Sequence, residues 1–234
     1  MVRPTKKKQI PNLSEAIKDT AWEQITENGA AALSLRAIAR KLEITAPAIY
    51  NYFPRRDDLV TSLIVDAFNS LGDSQEVSIR DLHETDLKAR ISALGFAYRA
   101  WALTYPQRYQ LIFGTPIPHY EAPVDVTVPA AAKSLLPLIM TLQACRDANI
   151  LHSEHLTSMT PELKSMLIEW SQFMEGYDLH VLFTALVMWS RVHGLVSLEI
   201  GHQFPAPITD PGEVYHQEII NFTNQYLLES PHQN

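Results

Sequence analysis

Residues 33–59 read LSLRAIARKLEITAPAIYNYFPRRDDL, and this stretch decides the fold prediction. Its first half predicts a short helix that begins after Ser34, a residue type suited to a helix N-cap. Four apolar residues follow with the spacing i, i+3, i+4, i+7 that gives a helix one buried face. They are Leu35, Ile38, Ala39 and Leu42. A turn at residues 43–44 then ends the helix.

The second half of the stretch predicts another short helix. Thr45 is a natural N-cap, and Pro47 lies in the first turn, where its missing N–H costs nothing. Ile49 and Phe53 lie one turn apart and are expected to face the core, and Pro54 ends the helix. Two short helices joined by a tight turn form a helix-turn-helix, the motif that inserts its second helix into DNA.

The pattern remains helical outside this motif. A first helix is predicted from Ser14 to Asn28, with Leu13, Ile17, Ala21 and Ile25 on its apolar face. Asp57 is expected to cap a fourth helix over 58–71. Further helices are predicted over 86–105, 107–113, 130–148, 161–175, 178–200 and 212–229, with a proline-rich loop over 114–129.

These elements predict an all-α protein with an N-terminal three-helix DNA-binding domain and a C-terminal helical bundle. The predicted segments are a flexible basic arm over 1–12, the helix-turn-helix domain over 13–56, a connecting helix over 57–72 and the bundle over 73–234. Residues 1–56 hold ten Lys/Arg and five acidic residues, whereas the remaining residues hold nine and 21. A basic head on an acidic body favours a polyanion partner for the head, although a basic tail that aids solubility is an alternative interpretation.

The cysteine content and the apolar stretches of the sequence indicate the cellular compartment. Cys145 is the single cysteine of the chain, so an intramolecular disulfide is impossible and a reducing compartment is expected. The basic start is followed by no apolar signal core, and the apolar stretch 181–200 is interrupted by Arg191, His193 and Glu199. We therefore expect a cytoplasmic protein without a membrane partner.

The second helix of the motif presents a surface suited to DNA. Its N-terminus is narrow enough for the major groove, which is about 12 Å wide. Its outward side and flanks offer groups for bases and phosphates. The predicted DNA-binding residues are Ser34, Arg36, Thr45, Ala46, Pro47, Tyr50, Asn51, Tyr52, Arg55 and Arg56. For Tyr50 and Arg36, the alternative is an ordinary exposed side chain. Lys6, Lys7 and Lys8 either contact DNA or form a solvated tail.

The stretch 33–59 resembles the tetracycline-repressor (TetR) family of regulators, and the resemblance extends over about residues 13–71. It is carried by Ser34, Ile38-Ala39, Thr45, Ile49-Tyr50, Tyr52-Phe53, Arg56 and Asp57-Asp58-Leu59. Two positions depart from the family pattern. Glu43 stands where the family usually has a glycine in the turn, and Arg56 stands where it prefers lysine.

The stretch 97–113, AYRAWALTYPQRYQLIF, together with Trp189-x-x-x-His193-Gly194, is similar to a C-terminal domain found in a subset of these regulators. This resemblance implies a helical domain that binds an effector and forms a homodimer, with residues 178–200 and 212–229 in a four-helix interface. Aromatic residues and one histidine are candidates for lining the effector site, although aromatics at helical spacing are more often plain core. The candidates are Trp101, Tyr105, Phe113, Trp170, Phe173, Tyr177, Trp189 and His193.

The sequence therefore predicts a ligand-responsive repressor that binds a pseudo-palindromic double-stranded DNA operator and is released by a small apolar or aromatic effector. No nucleophile–base set or phosphate-binding glycine loop is recognisable, so neither an enzyme nor a cofactor is expected. His152 and His155 lack a third ligand at helical spacing, which disfavours a metal site. The alternatives are a helical ligand-binding protein or enzyme with a vestigial helix-turn-helix, and a sequence-tolerant DNA binder.

Overall fold

The computed structural model describes residues 10–152, 159–172 and 176–228. Within these ranges the chain forms α-helices, one 3₁₀ turn at Ala30–Ala32 and no extended strand, which confirms the all-α prediction. The helices are α1 (Leu13–Asn28), α2 (Leu35–Lys41), α3 (Ala46–Tyr50), α4 (Arg56–Ile79), α5 (Leu87–Thr104), α6 (Pro106–Phe113), α7 (Val124–Asp147), α8 (Pro161–Ser171), α9 (Leu179–Ile200) and α10 (Pro211–Tyr226).

The helices divide between two compact units. The first unit contains the chain up to residue 66 together with residues 107–123, and the second contains residues 67–106 and the chain from residue 124 onward. Residues 107–123 therefore pack with the helix-turn-helix, although they lie inside the range 73–234 predicted for the C-terminal bundle.

The core of the first unit follows the apolar pattern of the sequence. The buried residues from the three N-terminal helices and the end of the motif are Ile17, Ala21, Ile25, Leu35, Ile38, Ala39, Ile49 and Phe53. Ser34 caps α2 by accepting a hydrogen bond from the backbone N–H of Ala37. The added segment 107–123 contributes Arg108, whose guanidinium lies 5.4 Å from the ring centre of Trp22.

The turn between α2 and α3 keeps glycine-like geometry without a glycine. The N–H of Ile44 donates to the carbonyl of Ala39, and the N–H of Glu43 donates to that of Arg40. This pair of bonds is the Schellman motif, which requires a left-handed residue at the position after the C-cap. Glu43 takes that conformation, with φ of 57°. The departure from the family pattern therefore leaves the turn geometry intact and places backbone strain at Glu43.

Replacing Glu43 with glycine should stabilise the protein. The left-handed conformation costs a residue with a Cβ about 1 kcal/mol or more, and the greater freedom of glycine in the unfolded chain offsets part of the gain. We expect Glu43→Gly to raise the free energy of unfolding by roughly 0.5–1 kcal/mol, which is about 1–4 °C in Tm for a chain of this size. Thermal unfolding followed by circular dichroism measures the shift. Glu43→Ala removes the same charge but keeps the strain, and an equal gain in that variant would assign the effect to charge.

The fourth helix differs from its prediction at both ends. The helix begins at Arg56, so Asp57 lies in its first turn and the prediction of Asp57 as its cap is wrong, while Asp58 accepts a hydrogen bond from the backbone N–H of Arg55, the residue before the helix. The helix also continues through Gly72 to Ile79 instead of ending at residue 71. A Cβ added at Gly72 would lie 3.2 Å from the carbonyl oxygen of Lys133. Glycine here serves a close approach to α7, and this packing outweighs its low helix propensity.

The seventh helix begins at Val124, whereas the sequence predicts a loop as far as residue 129. Pro129 and Pro137 both lie inside this helix. A proline removes one helical hydrogen bond, so local sequence alone argues against a helix here. The burial of Thr127, Ala130 and Ser134 on one side of α7 shows that tertiary packing outweighs that cost.

The second unit is a bundle in which α5, α7, α9 and α10 contact one another. Tyr215 of α10 donates a hydrogen bond to the carbonyl of Gly95 on α5, 2.6 Å away. Arg99 forms a two-bond ion pair with Glu199 that joins α5 to α9. Helices α7 and α9 have the length and composition of membrane spans, with mean hydropathy of 1.3 and 1.5 in their most apolar windows. Core helices of a soluble bundle have the same character.

Candidate nucleic-acid interface and ligand cavity

Helix α3, the second helix of the motif, and the residues that follow it have a buried side and an exposed side. Ile49 is fully buried and Phe53 is 7% exposed, so both anchor the motif as predicted. Tyr50 and Tyr52 are 38% and 50% exposed. Asn51 is exposed between them. Both aromatic side chains lie on the open surface where the sequence places base and phosphate contacts.

The N-terminal end of α3 is also exposed to solvent. Thr45, Ala46 and Pro47 are all exposed. Thr45 occupies the predicted N-cap position, but its side chain makes no capping hydrogen bond. The first N–H groups of the helix and the Thr45 hydroxyl therefore lie at a surface where a phosphate oxygen could accept from them.

The arginines near α3 differ in whether another side chain already pairs with them. Arg36 is exposed at the start of α2. Arg55 is exposed but forms a two-bond pair with Asp58, at 2.7 and 3.3 Å, and this hydrogen bonding lowers the pKa of the Asp58 carboxyl. A phosphate would have to compete with Asp58 for the Arg55 guanidinium. Of these two predicted phosphate contacts, Arg36 is thus the more available.

Arg56 points toward its own unit. Its Nη2 donates to the carbonyl oxygens of Ala30 and Ala31, at 3.1 and 3.2 Å. Its Nε is buried and has no hydrogen-bond partner among the described residues. These contacts tie the start of α4 to the 3₁₀ turn before α2. These contacts support a role for Arg56 in positioning the motif, in addition to the phosphate contact that the sequence predicts.

The second unit contains a small apolar cavity of about 30 Å³. Side chains of α4, α5, α7, α9 and α10 surround it, and none of its twelve lining residues is charged. The lining consists of Gln75, Ile91, Leu94, Gly95, Tyr98, Ser134, Leu135, Leu138, Met188, Trp189, Val192 and Phe222. The uncharged lining suits a small apolar molecule, while the volume is far below the roughly 300–1,000 Å³ of most ligand pockets.

Of the predicted lining residues, the structure brings Trp189 to this cavity, while His193 is outside the lining but contacts two lining residues, Tyr98 and Trp189. The others lie elsewhere. Trp101 is core and donates its indole N–H to Ser70, and Tyr105 packs at a ring distance of 6.1 Å from Trp101. Phe113 packs against Tyr109 in the first unit. Trp170 and Tyr177 are half-buried and outside the lining, while Phe173 lies outside the described residues.

His193 is a hydrogen-bonded residue of the bundle. Its Nδ1 lies 2.9 Å from the Tyr98 hydroxyl, and its ring lies 4.9 Å from the Trp189 ring. Burial lowers the pKa of His193, so the ring is neutral at pH 7. Burial raises the pKa of the Cys145 thiol to about 12, which keeps that thiol unreactive. The described residues contain no group of three side chains that could hold a metal ion, and His155 lies outside them.

The sequence did not predict most of the residues that line the cavity. The aliphatic residues gave no distinguishing signal, because every helix of the bundle carries similar ones. Gln75 gave none either, since it stands in a polar stretch after Gly72 that resembles a solvent-exposed segment. It is nevertheless 5% exposed and donates from Nε2 to the carbonyl of Ser134, 2.6 Å away.

Helices α9 and α10 share an outward face that the rest of the protomer leaves largely uncovered. Gly194 lies on it, and a Cβ added there would meet no atom of its own protomer within 4 Å. Close approach inside the protomer therefore does not explain this glycine. Leu198 is 37% exposed one turn further along, and Leu195 and Val214 line a groove between α9 and α10 whose five other lining residues are polar or charged. Apolar residues on an open helix face are typical of an interface between subunits.

Comparison with known proteins yields two family matches on this chain. Residues 17–63 match the model of bacterial regulatory proteins of the tetR family. Residues 91–222 match the tetracyclin repressor-like C-terminal domain. The first match includes the helix-turn-helix, and the second includes most of the cavity and of the α9–α10 face.

Individual proteins agree with these matches. The HTH-type transcriptional regulator Rv1816 of Mycobacterium tuberculosis is 34% identical over 203 residues, which cover 85% of this chain and 86% of that protein. The crystal structure of the candidate regulatory protein SCO4313 is 36% identical with a TM-score of 0.72, covering 91% of this chain and 98% of that one. A variant of TetR from Acinetobacter baumannii AYE, crystallised in complex with minocycline, is 13% identical with a TM-score of 0.54 over 93% of this chain and 96% of that one, a likeness of fold alone.

Proposed function

This chain belongs to the tetR family of bacterial regulatory proteins, and from that premise we propose that it is a dimeric repressor whose operator binding is released by a small uncharged effector. It is a DNA-binding transcriptional regulator, and its family is one of regulators rather than of enzymes. The observation that carries the proposal is the geometry of α3 and the three residues that follow it, where Ile49 and Phe53 are buried while Tyr50, Asn51 and Tyr52 are exposed.

The proposed operator is a pseudo-palindrome. Two copies of the chain joined through α9 and α10 would present two recognition helices related by a two-fold axis, and such a pair reads two inverted half-sites. The uncovered face around Gly194, Leu195 and Leu198 supports this arrangement. The cytoplasm, where a repressor meets DNA, is the proposed location.

The proposed effector occupies the cavity of the second unit. Helix α4 contributes Gln75 to that cavity and begins at Arg56, which holds the 3₁₀ turn before the motif. A ligand that binds one conformer of the bundle more tightly would shift the population toward it and change operator affinity. The minocycline complex of the A. baumannii protein supports a small-molecule site in a protein of this fold.

A test of DNA binding separates this function from that of a helical protein with a vestigial motif. If Arg36 contacts a phosphate, Arg36→Gln should weaken binding to random duplex DNA and lower the slope of log affinity against log salt by roughly one unit. Fluorescence anisotropy over a salt series measures both effects. Arg80→Gln is the matched control, since Arg80 is an exposed arginine of the second unit. Equal slopes for the two variants, or no DNA binding by the unmodified protein, would contradict the proposal.

A further inference from the structure

Gln75 places one polar group in an otherwise apolar cavity. Its side chain lines the cavity and is 5% exposed. Its Nε2 donates to the carbonyl of Ser134, and this bond fixes the orientation of the amide, because only the nitrogen can donate to a carbonyl oxygen. The Gln75 Oε1 accepts no hydrogen bond from any described residue. This oxygen is not among the fully buried unpaired polar atoms of the described residues, so it can still reach water, and a bound molecule that excludes this water has to supply the hydrogen bond instead.

Tyr98, Ser134 and Gly95 bring further polar groups to the lining, and these groups already have partners. The Tyr98 hydroxyl pairs with His193, and the Ser134 hydroxyl donates to the carbonyl of Ala131. The carbonyl of Gly95 accepts from the Tyr215 hydroxyl. The position where a bound molecule would gain most from a hydrogen bond is therefore beside Gln75 Oε1, and what that oxygen requires is a donor.

We propose that the effector is an uncharged, largely apolar molecule with an O–H or N–H group that donates a hydrogen bond to Gln75 Oε1. Compact phenols, aromatic amines and alcohols belong to this class. A carboxylate does not, because the lining offers no charge to offset its desolvation and its oxygens only accept. This inference rests on the proposed function and adds a specificity-determining residue to it.

The size of the cavity restricts the effector further. A volume of about 30 Å³ holds about two water molecules, so even a single aromatic ring must displace side chains. Met188 lines the cavity and is unbranched, which makes it the side chain best able to move. The smallest members of the class are therefore the right probes.

Isothermal titration of the full-length protein with three aromatic probes tests the donor requirement. Phenol carries a donor, anisole keeps the oxygen without the donor, and toluene has neither. If the ligand O–H pairs with Gln75, phenol should bind about three- to tenfold more tightly than either of the others, the range expected for one net hydrogen bond. Benzoate, a charged probe with the same ring, should not bind. Equal affinity for the three neutral probes, or no binding of any, would overturn the proposal.

Variants assign the preference to Gln75. Gln75→Met keeps the length of the side chain but removes its oxygen, so it should abolish the advantage of phenol over anisole and toluene. Ser134→Ala is the control: it removes a lining hydroxyl yet keeps the backbone carbonyl that holds Gln75, and the preference should remain. A Gln75→Met variant that is folded by circular dichroism and still prefers phenol would refute the assignment. Should that variant fail to fold, the comparison of probes on the unmodified protein still decides the donor requirement.

Duplex DNA binding is measured on the same preparations. Intact DNA binding without a preference for phenol would overturn the effector class while leaving the regulator function in place. A preference for phenol in a protein that binds no DNA would support the effector class and overturn the regulator function. The two failures are therefore distinguishable.

Discussion

Gly194→Leu is expected to produce a folded monomer with operator affinity lowered about 10²- to 10⁴-fold, the usual gain from linking two binding sites. Gly194 faces open space in its own protomer, where the Cβ of a larger side chain would meet no atom within 4 Å. Leucine also favours a helix more than glycine does, so α9 itself should gain stability. The expected damage is confined to a partner helix, which the larger side chain would push away.

Light scattering measures the molar mass of this variant, circular dichroism its helix content, and fluorescence anisotropy its operator affinity. Gly194→Ala is the matched control, since it gives α9 a similar gain in helix propensity with a single methyl group. That control should keep more of the dimer than Gly194→Leu. A Gly194→Leu variant that remains a dimer with full operator affinity would show that the α9–α10 face is not the dimer interface.

Tyr50→Ala is expected to lower affinity for the preferred operator by about 1–3 kcal/mol, or roughly fivefold to 150-fold, with little change on random DNA. Tyr50 is exposed and its neighbour Ile49 carries the packing, so truncation should leave the fold intact. The loss would come from contact with a base edge, which differs between sequences, whereas phosphate contacts are the same on all DNA.

Competition anisotropy with operator and random duplexes gives both affinities. Tyr50→Phe separates the ring from the hydroxyl: retained affinity would indicate apolar contact with a thymine methyl, and lost affinity would indicate a hydrogen bond. Equal losses of Tyr50→Ala on operator and random DNA would reassign Tyr50 to the phosphate backbone.

The sequence predicted the helix-turn-helix well because local signals and tertiary packing agree there. Ser34 caps α2, and the residues with helical spacing, such as Ile38 and Ala39, are the buried ones. Glu43 is the exception: its local preference opposes the left-handed conformation that the turn needs, and the hydrogen bonds of the turn hold it there nevertheless.

Prediction failed where packing between distant segments outweighs local preference. Gly72 indicated a helix end, but it lies against the backbone of Lys133, which follows some sixty residues later. Pro129 indicated a loop, but the buried side of α7 keeps it helical. The identity of the cavity residues depends on how five helices rotate toward one another, and no single segment encodes that. Gln75 is therefore recognisable as a ligand contact only in the folded protein.

Selection of duplexes from a random DNA pool by the unmodified protein tests whether it binds a pseudo-palindromic operator as a dimer. We expect enrichment of an inverted repeat whose half-sites are separated by about one helical turn or a multiple of it, bound by an even number of chains. Enrichment of single, unrepeated sites bound by one chain, or recovery of the pool without enrichment, would contradict it.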